Sequence, residues 1–287
     1  MTLAAAVVGL VALGAIAYWA LVVTEGAYLG PKVVIALYDR GASTYDDVKG
    51  FDVGDDYSTV AEPLLASSPA GLTSRILDVA TGTARLPIAL LTDSDFEGEV
   101  VGVDLSAGML REAWPKVGGW TPRVHLIRAP AGALPFADAT FDAVSCLEAL
   151  EFTRRPMGTV AEMVRVLRPG GILVVTNRVG WEALLMPARA LSEDAFAKNV
   201  EAFGVEHVRT VRWQSYYDLV WATKAGRGAE PPGRWPEGLR CADCRGEIVA
   251  AGACLRCTNC HRLFMWGGGA WGLLATASPG RGSDVSG

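Results

Sequence analysis

The chain lacks any surplus of positive charge. Its 287 residues carry 26 Lys and Arg against 31 Asp and Glu, a formal net charge of −5. No global field draws it to nucleic acid, so a nucleic-acid partner has no electrostatic basis. It also lacks internal repeats, which excludes repeat architectures. Charge is missing altogether from Leu3 to Val23, and no basic side chain precedes that run. About 20 consecutive apolar residues match the hydrocarbon core of a bilayer, and Tyr18 and Trp19 near the end of the run suit an interface. A cleaved secretory signal needs a basic start, which Met1-Thr2 does not supply. A buried core helix is the other alternative, and all-round apolarity over this length favours a membrane span over it. Residues 1–24 are therefore read as a transmembrane anchor. Lys32, Arg40 and Lys49 follow it, so the positive-inside rule predicts a single-pass protein of the cell membrane with its bulk on the cytoplasmic side. Residues 25–50 are read as a juxtamembrane segment that starts the main domain, with Gly30-Pro31 breaking the helix.

Glycine is sparse where a nucleotide-binding turn would use it. ILDVATGTA, Ile76 to Ala84, places four apolar or β-branched residues around Asp78, then a small-residue turn, then the helical pattern RLPIALL. Strand, tight turn and helix build a cofactor crevice at the carboxyl edge of a parallel sheet. A second strand-like run, EVVGVD, ends in Asp104, where an acid can accept hydrogen bonds from both hydroxyls of a ribose. Dinucleotide enzymes use G-x-G-x-x-G to set backbone amides against a pyrophosphate. Here only Gly82 remains, flanked by Ala80 and Ala84. That is poor for a pyrophosphate and adequate for a ligand without one.

The turn resembles the D/E-x-G-x-G-x-G loop of class I S-adenosylmethionine (SAM) methyltransferases, with alanine at the outer glycine positions. ALPFADATFDAVSC (Ala133 to Cys146) resembles that family's LPF-x-D-x-x-F-D-x-V segment. RVLRPGGILVVT (Arg165 to Thr176) resembles its Pro-Gly-Gly turn and fifth strand. LYDRGASTYDD (Leu37 to Asp47) is similar to the YDR-x-A-x-x-YD segment of ubiquinone and menaquinone biosynthesis methyltransferases. Resemblance runs from about Leu37 to Lys224 and implies an α/β fold, a Rossmann-like seven-stranded, mostly parallel sheet with helices on both faces over residues 51–225. It further implies that Asp78 and the turn Ala80, Thr81 and Gly82 approach the methionine part of SAM. By the same resemblance Asp104 holds the ribose, Leu105 and Met109 line the adenine, and Tyr45 covers the cofactor. The family's aspartate before LPF is Pro130 here, so the adenine contact is absent or moves to the backbone of Ala131.

Five of the six cysteines lie between Cys241 and Cys260. Cys241-x2-Cys244-x12-Cys257-x2-Cys260 offers two chelating pairs, and four thiolates make a closed tetrahedral site that suits structural zinc. Cys254 or His261 could substitute for one ligand, and disulfides are the competing reading, disfavoured on a cytoplasmic face. LRCADCRGEI followed by LRCTNCHRLFMWGGGAWGLL resembles the zinc ribbon of methyltransferase-activator proteins, with His261 and Phe264 at the family's glycine and tyrosine positions. A linker is read at 226–238, the ribbon at 239–275 and a disordered tail at 276–287.

Methyl transfer from a sulfonium needs alignment and water exclusion more than acid–base chemistry. CLEALEFT (Cys146 to Thr153) resembles the E-x-L-E-H segment of quinone methyltransferases, with Phe152 in place of the histidine. Glu148 and Glu151 are the catalytic candidates: together a weak divalent-ion site, with Glu148 otherwise a base, a hydroxyl-orienting group or a surface helix residue. Cys146, His125 and His207 read as structural. The run from Arg178 to Arg189, with Trp181, Leu184, Leu185 and Met186, suits either an acceptor pocket or an amphipathic cap helix. The function expected is methylation of a hydrophobic small-molecule or lipid acceptor at the membrane. Two alternatives stand: a protein or RNA methyltransferase that docks through its ribbon, which could also bind a protein partner, and a non-catalytic scaffold.

Overall fold

A computed structural model describes residues 2–227 and 233–274. Seven strands form the catalytic sheet: β1 (Arg75–Val79), β2 (Glu99–Asp104), β3 (Val124–Arg128), β4 (Phe141–Cys146), β5 (Leu167–Arg178), β6 (Val205–Trp213) and β7 (Tyr217–Lys224). Their order is β6-β7-β5-β4-β1-β2-β3. β1 pairs in parallel with β2 and β4, and β7 runs antiparallel to both β5 and β6. The chain winds outward in both directions from β1, which leaves a crevice at the carboxyl ends of β1, β2 and β4. Every residue of β1 and β4 is buried, as continuous apolar strands covered on both faces require. β6, at the sheet edge, is largely exposed along its length.

Pro-Gly-Gly does not end a helix ahead of β5 but lies inside that strand, opposite an irregularity between Phe141 and Ala143. A Cβ on Gly171 would lie 2.7 Å from the Asp142 carbonyl oxygen and 2.9 Å from that of Arg168, so the backbones meet only because this residue has no side chain. Around the sheet, Ser106 caps the helix Ala107–Val117 by accepting a hydrogen bond from the Met109 amide. Ser192 does the same for the helix Glu193–Glu201. Pro156 opens the helix Pro156–Val166, where its missing N–H is harmless.

The apolar run Leu3–Val23 is one continuous helix, α-helical to Tyr18 and π-helical over Trp19–Val23, and only 6% of its most apolar window is buried. It is long enough to span a hydrocarbon core. The segment after it folds back against the catalytic domain rather than lying free, and its helix Pro31–Gly41 packs on Ala107–Val117.

The cysteine-bearing segment is not detached. Strands β8 (Ile248–Ala251), β9 (Cys254–Cys257), β10 (Leu263–Gly267) and β11 (Ala270–Gly272) form an antiparallel meander. β11 then pairs in parallel with β3, Trp271 opposite Ile127 and Gly272 opposite Arg128. The seven-stranded sheet thus continues into an eleven-stranded one, and the β3 edge, which would otherwise present unpaired amides, is covered. Trp266 packs edge-on against Trp114 at 4.8 Å and Trp271 at 5.5 Å. Gly269, at φ +86, lies so close to the helix that a Cβ would sit 2.6 Å from that of Trp114.

Residues 233–238, read from sequence as part of a linker, are pinned to the sheet. Arg75 donates to the carbonyls of Gly233 and Glu237 at 3.3 and 2.9 Å, and Trp235 stacks on His125 at 4.2 Å. His125 is buried there, and burial beside Arg75 lowers its pKa to about 4. His207 is exposed on β6. Linker residues 228–232 and the tail expected at 276–287 fall outside the described residues.

Gly269→Val should separate the meander from the sheet without disturbing its cysteines. Hydrogen exchange at Val124–Arg128 should rise at least about tenfold with zinc content unchanged; unchanged protection would show that the β11 contact contributes nothing.

Candidate functional site

A cleft of about 750 Å³ opens at the carboxyl ends of β1 and β2. Its floor is the turn after β1. Ala80, Gly82 and Ala84 have φ values of 57, 54 and 71°, so both alanines adopt a left-handed backbone that glycine takes without steric cost, at roughly 1–2 kcal/mol each. A Cβ on Gly82 would meet nothing within 4 Å, so the turn leaves ligand space there.

Asp104 closes β2 and points into the cleft. Its Oδ2 accepts from the Gly82 amide at 2.9 Å and its Oδ1 from the Ser106 amide at 2.8 Å. Each oxygen keeps acceptor capacity toward the cavity, a geometry suited to two ribose hydroxyls. Burial raises the Asp104 carboxyl above its usual range, and the two amides oppose that shift. Leu105, Ala131, Pro130 and Tyr45 also line the cleft. These groups fit the adenosyl part of SAM.

Three expected cofactor residues are placed elsewhere. Asp78 is buried between β1 and β4, with its Oδ1 accepting from the Ser145 hydroxyl at 2.7 Å. Burial pushes its pKa up to about 6. Met109 is 1% exposed inside its helix, and Thr81 is 5% exposed. None of the three lines the cleft; they support the walls from behind.

The opposite wall was not foreseen. Pro31, Val34, Ile35 and Tyr38, spaced i, i+3, i+4 and i+7, present one stripe of the helix Pro31–Gly41 to the cleft. Tyr38 donates to Glu25 Oε2 at 2.7 Å and packs on Tyr45 and Phe152. Asp39, on the same helix, accepts from the Ser106 hydroxyl at 2.5 Å and the Gly108 amide at 2.7 Å. Burial works against its ionised form, but these hydrogen bonds hold its carboxyl below the usual range. Its charge faces the N-terminus of Ala107–Val117.

Glu148 and Glu151 do not converge. Glu148 stands between the cleft and a second, polar cavity of about 760 Å³. It has a left-handed backbone, φ 52, and is bound by Arg85 at 2.6 Å and Lys49 at 3.1 Å. Burial would raise its pKa, but the two cations lower it, so it stays ionised. Arg85 is itself held by Asp56 and stacked between Phe51 and Trp213 at 4.2 and 5.0 Å. Glu151 is enclosed, accepting from Tyr217 at 2.5 Å and Arg178 at 3.1 Å. Phe152 lines the cleft where the resembling segment has histidine. Cys146 is fully buried core. Of Arg178 to Arg189, only Arg178 and Glu182 line a cavity, the polar one; Trp181, Leu184 and Leu185 face outward and Met186 is buried.

Cys241, Cys244, Cys257 and Cys260 bring their sulfurs within 4.8 Å of one another. Two of the separations, 3.7 and 3.5 Å, approach the roughly 3.8 Å edge of a tetrahedron with Zn–S bonds of about 2.3 Å. All four are free thiols, and the set fits a structural zinc ion. Cys254 turns away and donates to the Ala251 carbonyl at 3.0 Å. Gly246 leaves room for the sulfurs: a Cβ there would lie 3.0 Å from that of Cys257.

Residues 77–175 match the family described as methyltransferase domain. The chain is 38% identical over 152 residues to demethylmenaquinone methyltransferase of Renibacterium salmoninarum, covering 51% of this chain and 59% of that protein. It is 37% identical over 142 residues to the ubiquinone/menaquinone biosynthesis C-methyltransferase UbiE of Syntrophotalea carbinolica, covering 48% and 58%. The chain thus spans under two thirds of the length of these relatives. In fold it is similar to a chain from the complex between the Haloferax volcanii Trm112 methyltransferase activator and a methyltransferase (TM-score 0.52, 19% identity, 66% of this chain and 98% of that one).

Two outcomes follow for calorimetry with SAM and for unfolding. Asp104→Ala should weaken SAM binding about 100-fold or more, at roughly 1–3 kcal/mol per hydrogen bond lost to a charged group, whereas Asp78→Asn should change it less than threefold. Because the folded-state pKa of Asp78 is raised to about 6, the native protein binds the extra proton and loses stability as pH rises from about 4 to 6, by roughly 2–3 kcal/mol. Asp78→Asn should flatten that slope in denaturant titrations; an unchanged slope assigns it to another group.

Proposed function

For a chain that carries a class I SAM-dependent methyltransferase domain, we propose transfer of the SAM methyl group to a hydrophobic small molecule held in the membrane, a quinone precursor or another lipid. The observation that carries this reading is the stripe Pro31, Val34, Ile35 and Tyr38. It forms the apolar wall of the cleft and is separated only by Thr24 to Gly30 from the apolar helix Leu3–Val23, which supports a cleft set beside the bilayer that would deliver the acceptor. The names of the relatives, quinone-pathway methyltransferases, support an acceptor of this class.

Bound SAM supplies an activated methyl on its sulfonium. Asp104 would fix the ribose, and the Ala80–Gly82 turn with Leu105 and Ala131 would bound the rest of the cofactor. Tyr38, Tyr45 and Phe152 would exclude water around the acceptor, which is the main requirement of an in-line displacement. Glu148, held ionised by Arg85 and Lys49, is suited to accept a hydrogen bond from an acceptor hydroxyl and so orient it. The positive charges after the apolar helix favour the cytoplasmic side of the cell membrane, and the anchor keeps the enzyme at high local concentration of its substrate. The cysteine meander is occupied with its own sheet through β11 and β3, which favours a built-in structural role.

The test is methyl transfer from radiolabelled SAM into membrane extract. Label should partition into organic solvent; label retained on protein or RNA would overturn the reading. Ile35→Asp should lower transfer to the lipid fraction tenfold or more by setting a charge in the apolar wall, while SAM affinity moves by less than about threefold.

A further inference from the structure

We propose that the segment Trp181 to Leu185 is a second membrane contact, a wedge that enters the cytoplasmic headgroup layer beside the anchor and turns the mouth of the cofactor cleft toward the lipid. The proposal rests on the reading of Leu3–Val23 as a membrane anchor and adds a separate surface to it.

Three observations carry it. Trp181, Leu184 and Leu185 are 59%, 83% and 37% exposed, an apolar cluster that lines neither cavity. The cluster is tied to the anchor itself. The Trp19 indole donates to the Leu185 carbonyl at 3.0 Å, and the Tyr28 hydroxyl, whose ring stacks on Trp19, donates to that of Pro187 at 2.7 Å. Arg189 completes the joint, donating to the Ala27 carbonyl at 2.6 Å and to those of Glu151 and Thr153 at 3.0 and 2.6 Å.

These links set a depth. Trp19 lies four residues before Val23, the last residue of the apolar run, so it sits at most about 6 Å inside that end, the α-helical rise being an upper bound for this π-helical stretch. A side chain held at its level lies in the headgroup and acyl boundary, where interfacial helices bury their apolar faces about 5–10 Å. The third observation is charge. Arg154 and Arg155 follow Thr153 at the rim of the cleft. Both are exposed, and neither has an acidic partner among the described residues. Apolar side chains beside unpaired arginines match a bilayer containing anionic lipid.

The experiment uses the full chain in vesicles of phosphatidylcholine and phosphatidylglycerol, with benzoylphenylalanine placed in turn at Leu184, at Leu13 in the anchor and at Glu97. Glu97 is exposed near the amino ends of the strands, away from the cleft. Photolysis should crosslink positions 184 and 13 to lipid with yields within about threefold of each other, and position 97 about tenfold less. Crosslinking at 13 but not at 184 overturns the wedge and leaves the anchor standing. Absence at both overturns the anchor as well. Position 184 is mostly exposed, so the replacement does not disturb the core.

Discussion

The architecture depends on one carboxylate, Asp39. It lies on the helix Pro31–Gly41, which follows the apolar helix Leu3–Val23, and it caps the helix Ala107–Val117, which follows Asp104. A charge at a helix N-terminus is favourable by about 0.3–1 kcal/mol or more when partly buried, a modest energy with a large geometric effect. It fixes Pro31, Val34, Ile35 and Tyr38 across the cleft from Asp104. Gly108 is the counterpart: a Cβ there would meet the Asp39 backbone at 2.8 Å, so only glycine lets the two helices approach this far. Through that contact the helix Pro31–Gly41 becomes a wall of the cleft.

The cysteine meander supports the cleft from the other side. β11 extends the sheet beyond β3, and Arg245 donates to the carbonyls of Leu134 and Phe136. Arg165 donates to the same two carbonyls from the helix Pro156–Val166. The loop that carries Pro130 and Ala131 into the cleft is therefore clamped just downstream, between the cysteine meander and the core.

Much of this was legible in the residues. β1, β3 and β4 are short apolar runs bounded by turn signals, and Asp104 ends its strand at the cleft. The cysteine spacing defined the metal site. What escaped was non-local. Asp78 is an acid at a strand end, and its sequence position does not reveal that Ser145 on β4 holds it inside the sheet. Glu148 and Glu151 are three residues apart, yet the left-handed backbone at Glu148 sends their carboxylates to different partners. The stripe on Pro31–Gly41 had the right spacing but belongs to a short helix with charged neighbours, and the β11–β3 pairing joins segments far apart in the chain. Trp181 to Leu185 was ambiguous between a pocket wall and a cap, and is neither within the protein.

The central claim is that one cleft holds SAM against Asp104 and opens past the helix Pro31–Gly41 to the bilayer. The most direct measurement is an experimental structure of the full chain in a lipid nanodisc with S-adenosylhomocysteine. The ribose hydroxyls should lie within hydrogen-bond distance of Asp104, with the remaining cleft volume bounded by Val34, Ile35 and Phe152 and open at the membrane surface. A ligand seated in the polar cavity beside Trp213, or a cleft mouth facing away from the bilayer, would contradict the account.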